Sequence, residues 1–162
     1  MRCLTSSEIH KWLTGQGMHH QPLTNGCPVA GDFSMPSGAQ ARLQLADYLA
    51  DLLVKDGNKL IEVIPAPQPE DNDWQTINEF RAKLDEKRSL TTSPGHLFKS
   101  RDRDDFRAML TTMLGFPEGW SFYIYAAPSR TTILVADRIE IWSPKKGLRN
   151  ELSRYLADDL AA

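Results

Sequence analysis

The stretch 120–142 constrains this chain more than any other part of it. Trp120, Phe122, Ile124 and Ala126 alternate with Ser121, Tyr123 and Tyr125, the period of two by which a pleated strand sends successive side chains to opposite faces. Pro128-Ser129-Arg130 supplies a turn. On the return, Ile133, Val135, Ile139 and Ile141 share one parity, and Arg138, Glu140 and Trp142 share the other. Ala136-Asp137-Arg138 lacks the Gly or Asn of a tight hairpin; we read it as a turn between two short strands rather than a bulge in one long strand. Antiparallel strands with one apolar face follow. Their opposite face carries Tyr123, Tyr125 and Trp142, large aromatics that are either covered by helices or used as an interface.

The rest of the chain supplies elements to pack on these strands. Thr5 with Glu8 fits a capping box, and Leu4 with Ile9 a hydrophobic staple. The short helix they start, with Ile9, Trp12 and Leu13 on one face, is expected to end at Gly15. Six glycines and prolines between Gly17 and Pro36 predict an irregular loop at 16–36. Over 37–54, polar positions every three or four residues leave Leu45, Leu49, Leu52 and Leu53 facing inward, a helical pattern. Leu60-Ile61-Glu62-Val63-Ile64 suits a strand buried on both faces. Pro65, Pro67 and Pro69 followed by acids predict a Pro-rich acidic connection at 65–73.

Asn72 caps a second long helix with Trp74, Ile77, Phe80 and Leu84 as its buried stripe, ending near Arg88. Phe106, Met109, Leu110 and Met113 mark another, closed by Gly115 and Pro117. Ser143-Pro144 opens the last, whose apolar face is Leu148, Leu152, Tyr155, Leu156 and Leu160. The expected architecture is a single globular domain over 1–162 of the α+β class. Its sheet would be small and mostly antiparallel, with strands near 60–64, 120–126, 131–136 and 138–142, packed by about five helices.

Composition narrows the partners. A chain of 162 residues buries a sizeable core without staples. A formal charge of −2 is the wrong sign for a protein that grips polyanions, so nucleic acid is an unlikely partner. No run approaches the roughly 20 apolar residues of a membrane span, and the first residues lack the apolar stretch of a signal peptide. Two cysteines, Cys3 and Cys27, do not make a disulfide framework. A cytoplasmic protein with reduced thiols and no membrane partner is expected.

Candidate chemistry is thin. Cys3, His10, His19, His20 and Cys27 are the side chains zinc prefers, but the cysteines are 24 positions apart and the adjacent histidines cannot easily aim at one ion; no metal site and no cofactor is expected. A hydrolase can be assembled from His19 or His20 as base, Asp32 as its orienting carboxylate and Ser34 or Ser37 as nucleophile, with nothing in the spacing to hold them together. His96, behind Pro94 and Gly95, is either a core-edge histidine or a general base presented in a fixed direction. Glu70, Asp71 and Asp73 lack the EF-hand spacing, and the mixed charges of 99–105 suit an exposed helix entry. Lys145, Lys146 and Arg149 stand at the positive end of the last helix, where cations are disfavoured, and with Arg138 could form a basic tip for an acidic partner.

These features point to a non-enzymatic intracellular protein that acts by binding another protein, with Tyr123, Tyr125, Trp142, Lys145, Lys146 and Arg149 as binding residues. The alternative is a small hydrolase or metal-dependent enzyme that uses His19, His20, Asp32 and His96.

Overall fold

The structure is a computed structural model that describes residues 1–53, 55, 57–65, 71–115 and 120–159, the side chains of 65, 71–74, 120, 158 and 159 excepted. The hydrophobic alternation of 120–142 becomes three consecutive strands, β5 (Trp120–Ala126), β6 (Thr131–Val135) and β7 (Arg138–Trp142), paired antiparallel. Ala136 and Asp137 turn between the last two, with the Ala136 amide donating to the Arg138 carbonyl at 2.9 Å.

The sheet they belong to is large, and here the expected small sheet is corrected. Seven strands pair in the order β1-β4-β3-β5-β6-β7-β2, every neighbour antiparallel. The expected strand at 60–64 is β3 (Lys59–Pro65), inside the sheet between β4 and β5. The unexpected strands are β1 (Arg2–Leu4), β2 (Gly31–Ser34) and β4 (Gly95–Phe98). Each has only three or four residues, too few to show a period, and two sit among the glycines and prolines that signal loops. Their pairing partners, not their own propensities, make them strands.

The register is straight across all seven strands. Cys3, His96, Ile61, Ile124, Ile133, Ile141 and Gly31 stand side by side in one row. The next row, on the opposite face, reads Leu4, Gly95, Glu62, Tyr123, Leu134, Glu140 and Asp32. The first row looks onto the larger core, built with α2 (Ala39–Leu53), α4 (Arg103–Gly115) and residues of α3 (Asp71–Ala82) and α5 (Lys146–Arg154). Leu45, Leu49 and Leu53 of α2 and Phe106, Met109, Leu110 and Met113 of α4 are buried in it as their spacing predicts. α3 ends well before Arg88, and the expected cap and stripe residues Asn72 and Trp74, the core residue Trp120, Pro117, Leu160 and most of the acidic connection lie outside the described residues or side chains.

The second face is covered by α1 (Ser6–Gln16) and by the segment 17–30. The capping box forms: Glu8 N–H donates to Thr5 Oγ1, and the Thr5 amide donates to the Glu8 carboxylate at 2.9 Å. α1 continues past the expected stop at Gly15, and Gly17, at φ 65°, is the left-handed residue that ends it. Ile9 and Leu13 then pack with Leu4, Leu60, Tyr123, Tyr125, Leu134 and Trp142 into a second core.

Candidate functional site

Into the face that bears the second core β3 places one carboxylate, Glu62. This carboxylate is 3% exposed and sits between Tyr123 and Gly95 in the row of strands. A buried carboxylate must be met by donors, and three side chains meet it. Tyr125 donates its hydroxyl to Glu62 Oε2 at 2.8 Å, Gln21 Nε2 donates to Oε1 at 3.0 Å, and His20 Nε2 lies 2.8 Å from the same Oε1. A carboxylate only accepts, so the imidazole carries a proton on Nε2.

The segment 17–30 is shaped to deliver these groups. Gln21 is left-handed at φ 42°, an uncommon conformation outside glycine. Its side chain binds Glu62 while its amide donates to the Tyr125 hydroxyl at 3.1 Å. Further along, the Cys27 carbonyl accepts from Trp142 Nε1 at 3.1 Å. Burial and the nearby Glu62 charge push the Tyr125 hydroxyl far up, so it stays a donor. The arrangement orients one imidazole, partly open to solvent, on a buried carboxylate, the pairing that fixes the tautomer of a general base. His10 approaches edge-on, its ring centre 6.1 Å from that of His20.

The remaining expected residues do not join this pair. His19 is exposed and lines a cleft of about 280 Å³ with Cys27, Arg130 and Ser143. Asp32 lies on the edge strand β2, exposed, its Oδ1 accepting from Arg138 Nε at 2.6 Å; that guanidinium holds its carboxyl below the ordinary range. His96 is on β4 and on the other face of the sheet, fully buried, and burial lowers its pKa to about 3. Among the described residues no group of three or more His, Cys, Asp or Glu could hold a metal ion.

Tyr123, Tyr125 and Trp142 are buried at 2%, 0% and 9% exposure. Tyr123 stacks on Tyr125 with ring centres 5.7 Å apart and tilts against Trp142 at 6.4 Å. Lys145 and Lys146 are exposed and Arg149 half-buried, at the start of α5. That helix begins two residues past Pro144, at Lys146, and the Lys145 amide donates to Ser143 Oγ at 3.2 Å. Beside it, a cleft of about 390 Å³ is lined by Tyr48, Asp51, Leu52, Lys145, Leu148 and Glu151.

Two residues central to the buried polar groups were missed at the sequence level, and both left a signal. Glu62 is the one charged residue in the apolar run 60–64, and Arg81 falls on the stripe of α3, four residues after Ile77 and three before Leu84. No known protein family, no curated protein and no solved structure matches this chain.

Proposed function

We propose that this protein is a binding module that engages an acidic protein surface through the basic start of α5. The observation that supports this is the charge arrangement there. The first turn of α5 holds no acid, its N-cap Lys145 makes no side-chain capping bond, and Lys146 and Arg149 have no ion pair among the described residues. Positive charge at the positive end of a helix works against the helix itself. An acidic partner reverses that penalty and gains the amide donors of the first turn as well. The cleft between α2 and α5 adds Tyr48 to the same surface, its ring stacked on that of Tyr155 with centres 3.6 Å apart. The free thiols of Cys3 and Cys27 suit a reducing, intracellular setting.

The test is affinity capture from native cells with two baits, the wild type and the triple variant Lys145→Glu, Lys146→Glu, Arg149→Glu. The wild-type bait should retain a partner that elutes as salt is raised. The variant should lose it while melting no lower than the wild type, since acids suit the positive end of a helix. Equal retention by both baits sinks the proposal.

A second reading, a small hydrolase, is favoured by one observation, the His20 imidazole held on the buried Glu62 carboxylate. In it His20 activates water and Glu62 orients the ring. Chromogenic ester substrates decide: turnover that disappears in His20→Gln and Glu62→Gln supports it, and turnover no faster than buffer removes it.

A further inference from the structure

The sheet ends at β1 on one side and at β2 on the other, and an edge strand offers main-chain donors and acceptors to any extended chain that meets it. The two edges differ. On β1 the Cys3 carbonyl accepts from Arg88 Nη2 at 3.1 Å, so a side chain of this protein already occupies that edge. On β2 no described residue does the same.

Which groups of β2 point outward follows from its pairing with β7. The Met35 amide donates to the Asp137 carbonyl at 3.4 Å and the Ala30 amide to the Ile141 carbonyl at 2.8 Å. On the other side of β7, the Ala136 amide donates to the Arg138 carbonyl. Arg138 and Glu140 thus turn their main-chain groups towards β6, and Asp137, Ile139 and Ile141 turn theirs towards β2. Bonded and unbonded pairs alternate along an antiparallel ladder, so Phe33, opposite Ile139, is bonded inward. The N–H and C=O of Asp32 and Ser34 face away from the sheet. Among the described residues these groups have no hydrogen-bond partner, and both residues are exposed.

The side chains along this edge say what kind of chain fits it. On one face Asp32 stands directly opposite Glu140, a like-charge pair that a sheet disfavours. Asp137 is exposed in the adjoining turn, and Arg138, bonded to Asp32 at 2.6 Å, is the one cation of the group. One carboxylate oxygen of Glu140 is buried without a hydrogen-bond partner. On the other face Phe33 lies half-buried at the rim of the larger core.

We propose that β2 is a docking edge for an extended segment of a partner protein in which basic and apolar residues alternate. The segment adds one strand to the sheet: its main chain pairs with the outward groups of Asp32 and Ser34, a lysine or arginine lies opposite Asp32, and the next residue, apolar, lies beside Phe33 and widens the core. Charge selects this occupant over a second copy of the chain, which would bring the same three acids to a short shared edge. The surface is opposite in charge to the start of α5 and lies on another element, so it stands or falls independently of the acidic partner proposed there.

The probe is a capped hexapeptide of alternating lysine and valine added to the full chain, with a glutamate–valine hexapeptide as control. The amide hydrogens of Asp32 and Ser34 should exchange freely in the protein alone and slow by about tenfold or more under saturating lysine–valine peptide, with no slowing under the control. Ser34→Pro removes an outward donor at an edge position that tolerates proline and should weaken the lysine–valine peptide by about fivefold or more. Asp32→Lys should shift the preference towards the glutamate–valine peptide. The triple reversal at Lys145, Lys146 and Arg149 should bind the lysine–valine peptide no more weakly than the wild type. Should Ser34→Pro not fold, amide exchange in the wild type decides. The proposal is overturned if the peptide leaves exchange at Asp32 and Ser34 unchanged, if both peptides bind alike, or if Ser34→Pro folds and binds as the wild type does. It is equally overturned if these amides are already protected in a free protein that sediments as a dimer, which would give the edge to a second copy.

Discussion

Gly95 shows how a single residue sets the approach of a helix to a sheet. A Cβ built there would fall 2.7 Å from Ile9 Cγ1 and 2.8 Å from Ile9 Cδ1, closer than carbon atoms pack, so α1 can rest on β4 only because this position has no side chain. Gly95→Ala should therefore destabilise the protein by about 1–3 kcal/mol, the range for overpacking a well-filled core, read from urea unfolding. If the contact is the cause, Ile9→Val should recover part of the loss, so the two changes would not be additive. Glu62 is the polar counterpart. Glu62→Leu removes the acceptor of Tyr125, Gln21 and His20 together and leaves a buried tyrosine hydroxyl without its acceptor, at a cost of about 1–3 kcal/mol. Amide exchange should then quicken in 17–30, while α2 and α4, on the opposite face, keep their protection.

At the scale of elements, the question is how a face of aromatic side chains is hidden without a long helix. Here the cover is α1 and the segment 17–30, anchored by the bond from Trp142 Nε1 to the Cys27 carbonyl. Trp142→Ala should cost about 3–5 kcal/mol, as for other large aromatics cut from a core, seen as a lower urea midpoint. The triple charge reversal at Lys145, Lys146 and Arg149 should not lower that midpoint, which separates the architectural residue from the charged residues at the start of α5. The strands of 120–142 were legible because isoleucine, valine and phenylalanine recur there at period two over many residues. β1, β2 and β4 were not, because three or four residues beside Gly31 or Pro94 carry no period, and their identity lies in partners distant in sequence. The candidate site was half legible for the same reason: His20 was visible as a residue type, whereas its partner Glu62 is 42 positions away and is recognised only when β3 and the segment 17–30 meet.

Across the whole molecule, groups whose folded pKa is lowered make stability fall as pH drops below neutrality, and His96 sets the upper part of that dependence. Its folded pKa is about 3 against an ordinary 6.5. Between those values the unfolded chain binds a proton that the folded chain refuses. The stability His96 contributes is thus present in full above 6.5 and is lost as pH falls towards 3. Glu86 acts lower down. Its pKa is held at about 2 against an ordinary 4.5, chiefly by Arg88, so its contribution is present above 4.5 and is lost as pH falls through 2. The interval from 4.5 to 6.5 is therefore where His96 can be read apart from Glu86. Going from about pH 7 to about pH 5 in chloride buffer, this one group should remove about 2 kcal/mol of unfolding free energy. His96→Leu should flatten the profile by that amount and leave the fall at lower pH in place. Parallel profiles for the two proteins would mean that the ring binds its proton equally in the folded and unfolded chains, against the lowered pKa that burial gives it.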